Sequence, residues 1–259
     1  MKAIECRDLC AAYDKRFPDK GEAVISDINF EIKEGSSVAV LGPNGSGKST
    51  LLKALCGMIP RKGTVRINEK DADGMSRKET ALNIAYMTQL SEVFFSYTVR
   101  DTVLMGRYVH SKSAFGRSSA ADAAAAEKAL ESTGIAGLRD RQLSTLSGGE
   151  LQRVFLARTF AQGSRVLMLD EPNNHLDLKV QAELAGYLKD WTKQPDHTLI
   201  GVYHDIPLAL ELAKEFILMK DGRMLAKGSR EDILKQGLLE EAYGFEVRKY
   251  LGRIKELIS

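Results

Sequence analysis

Residues 37–50 read SVAVLGPNGSGKST, a short and mostly apolar run that passes directly into a glycine-rich turn. Ser37 to Leu41 has the length and composition of a buried parallel strand. Gly42, Pro43, Asn44, Gly45, Ser46, Gly47, Lys48 and Ser49 then fit the spacing GxxxxGK[ST]. The glycines let backbone N–H groups turn inward around the phosphates of a nucleotide, and Lys48 is placed to pair with the β and γ phosphates. Ser49 and Thr50 open a helical pattern that runs to Met58. The Ser49 hydroxyl is placed to ligate Mg²⁺, while the helix N-terminus adds partial positive charge to the same anion. Strand, loop and helix follow in the order this chemistry requires.

Upstream, Lys2 to Leu9 and Ala23 to Ile32 read as strands around the charged loop DKRFPDKGE at 14–22, so a small β layer begins the fold. Downstream, the pattern turns helical between about Ile84 and Phe160, with an alanine-rich run from Ala120 to Thr133 that Gly134 closes as a C-cap. The strand and helix rhythm returns with strand Arg165 to Leu169, helix Val180 to Thr192, strand Thr198 to Tyr203 and helix Pro207 to Lys214, which implies a parallel sheet. Phe216 to Met219 and Arg223 to Ala226 flank Asp221-Gly222, a two-residue hairpin signal, and a charged amphipathic tail follows.

At 259 residues, one α/β domain with an inserted subdomain accounts for the length. Thirty-seven basic against 35 acidic residues leave a net charge of +2, too small for a protein that lives on a nucleic-acid backbone. Cys6, Cys10 and Cys56 are odd in number and lack CxxC spacing, which points to free thiols in a reducing cytosol rather than a disulfide framework or a zinc site. No run reaches the ~18 apolar residues of a spanning helix, and the charged start MKAIECRDLC lacks the apolar core of a signal peptide. The expected place is the cytosol, or the cytosolic face of a membrane as a peripheral protein.

Two further motifs carry chemistry. RVLMLDEP at 165–172 is an apolar strand ending in Asp170 and Glu171, which sets both acids at the carboxyl edge of the sheet, where ligands collect. Asp170 is then a candidate to hold Mg²⁺ through water. Glu171 is a candidate to orient or deprotonate an attacking water, since phosphoryl chemistry needs positioning more than covalent catalysis. Standing alone, the pair would read sooner as solvated acids at an ordinary strand end than as a catalytic pair. LSGGE at 146–150 precedes the helical run Leu151 to Gln162, so Ser147, Gly148, Gly149 and Glu150 form a second helix N-terminus suited to an anion.

In this order the motifs resemble those of the ATP-binding cassette family, over almost the whole chain. The resemblance implies a P-loop NTPase fold: an α/β, RecA-like parallel-sheet core over 1–86 and 161–259 with an N-terminal antiparallel β layer, and a helical subdomain inserted at about 87–160. It implies ATP and Mg²⁺ as ligands. By the same resemblance Gln89 in AYMTQ is the Q-loop glutamine, which also touches the metal, and His204 in VYHD is the switch histidine at the γ-phosphate. Tyr13 in CAAYD matches the aromatic that stacks on adenine; its other reading is a half-buried strand tyrosine. NNHLD at 173–177 resembles the D-loop, with Asp177 in the family position and Asn173 where Thr or Ser is more usual. Because the family sets the phosphate loop of one chain against LSGGE of another, one motif of each kind implies a homodimer that closes on ATP.

TVRDTVLMGRYVH at 98–110, AFGRSSAADAAAAEKAL at 114–130 and LLEEAYGFEVRKY at 238–250 resemble the importer subfamily for iron-siderophore complexes, haem and cobalamin, with Val109 where that subfamily has proline. The resemblance implies transmembrane permease subunits as partners, an external substrate-binding protein beyond them, and no nucleic acid. The cluster Phe94, Phe95 and Tyr97 reads either as a groove for a short permease helix or as core of the helical subdomain. A soluble cassette ATPase of the iron-sulfur assembly type is the alternative to the importer.

Overall fold

In the computed structural model, residues 1–88, 97–111, 118–174, 176–235 and 237–258 are described. The chain divides into two compact units, 1–73 with 200–259, and 74–199. The first unit opens with β1 (Lys2–Ala11) and β2 (Ile25–Lys33), paired antiparallel. The inward residues of β2, Ile25, Ile28, Phe30 and Ile32, are buried and alternate with exposed ones, the pattern of a sheet with one wet face. β3 (Ser37–Leu41) is buried along its whole length, as a strand covered on both faces must be. Then come α1 (Lys48–Leu55), β4 (Arg61–Ile67) and the two-residue β5 (Lys70–Asp71). β4 pairs with both β1 and β5, which gives a four-stranded layer in the order β2-β1-β4-β5. α1 stops three residues before the expected Met58, because Gly57 takes φ 66° and its N–H turns back to the Ala54 carbonyl.

The second unit begins with α2 (Arg77–Asn83), capped by a reciprocal Ser76 and Glu79 box, followed by β6 (Ile84–Met87). Ile84 to Met87 is therefore a strand, not the start of the helical stretch. Four residues are too few for periodicity to separate helix from strand, and what decides is parallel pairing with β7 (Val166–Asp170) in the register Ile84↔Val166 to Met87↔Leu169. Between those strands lie α3 (Val99–Met105), α4 (Ala120–Ser132) and α5 (Gly148–Ala161). Val99, Val103, Ala126, Leu130, Val154 and Ala157 from the three helices share one buried cluster. α4 ends where glycine chemistry ends it, with Gly134 at φ 68° and its N–H on the Glu131 carbonyl. α6 (Leu178–Trp191) follows β7, and β8 (Thr198–Val202) carries the chain out of this unit.

Back in the first unit the order is α7 (Ile206–Leu212), β9 (Glu215–Lys220), β10 (Arg223–Ser229), α8 (Arg230–Ile233), α9 (Leu238–Tyr243) and α10 (Val247–Ile258). The sheet of this unit runs β10-β9-β3-β8, with β9 parallel to β3 and antiparallel to β10. Asp221 and Gly222 form the turn between β9 and β10 at φ 47° and 73°, the left-handed pair that a two-residue hairpin loop requires. Among the described residues no helix is long and apolar enough to cross a membrane.

Candidate functional site

In the first unit, β3 delivers the chain into the glycine-rich loop and α1 carries it away. Asn44 and Gly45 are exposed at the tip, and Gly42, Ser46 and Lys48 are buried beneath it. Lys48 is 5% exposed, and its Nζ donates to the carbonyl oxygens of Gly42 and Pro43 at 2.8 Å each. The ammonium is thus held inside the loop by backbone oxygens, the kind of partner a phosphate oxygen can replace. The Ser46 hydroxyl is buried and has no hydrogen-bond partner among the described residues. Gly47 takes φ 97° and caps α1 without a side-chain hydrogen bond, and no acid occupies the first turn. The partial positive charge at that helix end is therefore not cancelled locally. Buried cation, orphaned hydroxyl and uncancelled helix end together fit the phosphates of a nucleotide.

Tyr13 lies just beyond β1, not within it, and its side of the loop is open: the residue is 52% exposed. Its hydroxyl is 3.3 Å from the Thr50 Oγ1, and Lys53 Nζ sits 5.4 Å from the ring centroid. The ring flanks the first turns of α1 with an accessible face, which is the requirement for stacking on a base. His204 is exposed, between the buried Tyr203 and the exposed Asp205, whose carboxylate accepts the Leu208 N–H at 2.7 Å to cap α7. The Tyr203 N–H donates to the Val40 carbonyl, so His204 leaves β8 beside the strand that feeds the loop.

In the second unit, β7 ends at Asp170, 7% exposed, whose Oδ2 accepts the Tyr86 hydroxyl at 2.8 Å. Glu171 follows at φ 54°, a left-handed conformation that costs a non-glycine residue about 1 kcal/mol. Asn174 Nδ2 donates to its Oε2, and the Asn174 N–H to its carbonyl. Asn173 is buried instead, its Oδ1 without a hydrogen-bond partner among the described residues. Gln152 on α5 donates to the Pro172 carbonyl, tying the helix after LSGGE to the turn that carries Glu171.

Ser147 caps α5 in a reciprocal box. Its Oγ accepts the Glu150 N–H, while the Glu150 carboxylate accepts both the Ser147 N–H and its hydroxyl at 2.8 Å. Those bonds to the Ser147 backbone and hydroxyl hold the Glu150 carboxyl below the usual carboxylate range. A Cβ on Gly149 would stand 2.8 Å from a methyl of Val180, so the first turn of α5 packs directly on α6, which Asp177 caps through the Val180 N–H. Tyr86, Gln152 and Asn174 are not legible as motifs, although AYMTQ and NNHLD contain two of them. Gln89, Phe94 and Phe95 lie outside the described residues, while Tyr97 is 43% exposed.

In the first unit Ser49 offers a hydroxyl at the start of α1, and in the second Asp170 offers a carboxylate at the end of β7, each an oxygen ligand of the kind magnesium takes. Among the described residues no three His, Cys, Asp or Glu side chains gather as a metal cage.

The profile of the family described as ABC transporter matches residues 25–174. The cobalamin import ATP-binding protein of Halobacterium salinarum is 36% identical over 228 residues, which cover 88% of this chain and 56% of that protein. The chain thus spans little more than half the length of that relative. The hemin import ATP-binding protein of Streptomyces coelicolor is 37% identical over 91% of this chain and 83% of its own length. Among solved structures, a metal-chelate type ABC transporter in an inward-facing conformation has a chain that superposes with a TM-score of 0.79 at 28% identity, covering 93% of this chain and 89% of that one.

Proposed function

This chain belongs to the ABC transporter family of ATPases, and on that premise we propose that it is the ATP-hydrolysing subunit of an importer for iron-siderophore, haem or cobalamin. The observation that carries the reading is the buried Lys48 inside a glycine loop, in a chain that also holds a Ser147-capped LSGGE helix. In this reading Lys48 exchanges its two loop carbonyls for β- and γ-phosphate oxygens, and Tyr13 stacks on adenine. Glu171, held by Asn174, orients the attacking water, with Gln89 and His204 at the γ-phosphate. Ser49, Gln89 and Asp170 would hold Mg²⁺, Asp170 through water, and the ion would offset charge on the phosphates.

Ser147, Gly148, Gly149 and Glu150 of a second copy, with its Asp177, complete each site, so two chains close on two ATP molecules and reopen after hydrolysis. That motion is coupled to transmembrane permease subunits fed by an external substrate-binding protein, with this chain on the cytoplasmic face of the membrane. Both relatives named above are import proteins, which favours the importer over a soluble cassette. Reconstituting the chain with its permease and binding protein in vesicles tests the proposal. ATPase activity should rise with ferric siderophore, haem or cobalamin, and failure to bind any membrane partner would refute it.

A further inference from the structure

The segment LLEEAYGFEVRKY, which marks the tail of the sequence, reaches back to the phosphate loop. Gly42, the first residue of that loop, takes φ 147°, open to glycine and strained for any residue with a Cβ. A Cβ there would stand 2.2 Å from the Met219 carbonyl oxygen, so β9 backs the loop at contact distance. On its other side the Gly42 N–H donates to the hydroxyl of Tyr243, the last residue of α9, at 3.0 Å. The partners are 201 positions apart in sequence. The Gly222 N–H in the β9–β10 turn also donates to the Ser46 carbonyl, at 3.2 Å. Tyr243 thus joins two backbone supports with a side chain, and its own burial pushes its ionisation above the usual tyrosine range, so the hydroxyl stays neutral.

We infer that Tyr243 is a positioning residue for nucleotide binding, fixing the Gly42 amide and through it the conformation in which the phosphate loop receives its ligand. The inference rests on the nucleotide reading above. Gly42 has the widest backbone freedom of any residue type, so its conformation must be set from outside. Holding its N–H fixes the plane of the Leu41–Gly42 peptide, the frame from which the φ and ψ of Gly42 aim its own carbonyl. That carbonyl accepts the Lys48 ammonium at 2.8 Å. Without the hydroxyl a buried amide loses its partner, and loop conformations that misplace Lys48 become competitive. A second reading, that Tyr243 merely anchors α9, predicts a loss of stability with no change at the loop.

Tyr243→Phe keeps the ring and removes the hydroxyl. The dissociation constant for a fluorescent ATP analogue should rise about three- to tenfold, the loss expected for one hydrogen bond, and KM for ATP should rise with it while kcat stays within about twofold. In the wild-type protein the Gly42 amide should exchange slowly with solvent and its proton resonance should shift in the variant. An unchanged dissociation constant, or an unprotected Gly42 amide in the wild-type protein, overturns the inference, and the second readout holds even if the variant fails to fold. Lys48→Ala run in parallel separates the two levels. If it binds the analogue as tightly as wild type, the nucleotide reading itself fails. If it loses binding while Tyr243→Phe binds normally, only the role of Tyr243 fails.

Discussion

Replacing Tyr203 by Phe should make the protein more stable. Tyr203 follows β8 and is 1% exposed, and its hydroxyl has no hydrogen-bond partner among the described residues. The ring itself is well used. A Cβ on Gly201 would stand 2.3 Å from the ring carbon Cζ, so the aromatic body covers that glycine and Phe would cover it equally. Only the hydroxyl changes. A buried hydroxyl with no partner costs about 1–3 kcal/mol of desolvation, and a void the size of one oxygen returns a small part of that. The net gain should be about 1–2 kcal/mol, or ~2–8 °C in Tm for a chain of this size. Burial also raises the Tyr203 ionisation far above its ordinary value near 10. Below about pH 10 the folded and unfolded states are both protonated there, and the group adds no slope. As pH rises further, the unfolded chain releases the proton and the folded one keeps it, so stability falls. Tyr203→Phe should flatten that alkaline decline. Thermal and urea unfolding between about pH 7 and 11 would measure both effects. A variant that melts about 2 °C or more below wild type would show that the hydroxyl is bonded, and would refute the argument.

Ser147→Ala removes the capping box of α5 and should cost about 1 kcal/mol of stability by urea unfolding, together with loss of ATP turnover in the assembled dimer; unchanged turnover would remove Ser147 from the site. Gly222→Ala places a Cβ 2.3 Å from the Val24 carbonyl at φ 73°, so it should destabilise by more than ~2 kcal/mol and weaken nucleotide binding through the Ser46 contact. A variant with wild-type stability and affinity would show that the turn does not support the loop.

What could be read from the chain alone was local. The strand from Ser37, the loop and the helix at Lys48 announce themselves because each conformation is set by its own residues, and the same holds for Asp221-Gly222 and for Gly134 after α4. β6 was hidden because Ile84 to Met87 is too short to show a period, and pairing with Val166 to Leu169, eighty-two positions on, makes it a strand. Single side-chain contacts between elements have no signature at all. Tyr86 holds Asp170, Gln152 holds the Pro172 carbonyl and Tyr243 holds Gly42, each by a side chain that any surface strand or helix could carry. Asn174 is a nearer case: NNHLD draws attention to the substituted Asn173, yet its neighbour is the one that bonds Glu171. Motifs supply the groups that touch ligand, and tertiary folding chooses the groups that hold them.

The central claim is that hydrolysis needs Glu171 in a site completed by a second chain. Light scattering of Glu171→Gln with and without ATP and Mg²⁺, alongside its turnover, tests it most directly. The expected variant binds ATP, hydrolyses it far more slowly than wild type and shifts from one chain to two when ATP is added. A Glu171→Gln protein that stays a single chain with ATP and turns over at the wild-type rate would contradict it.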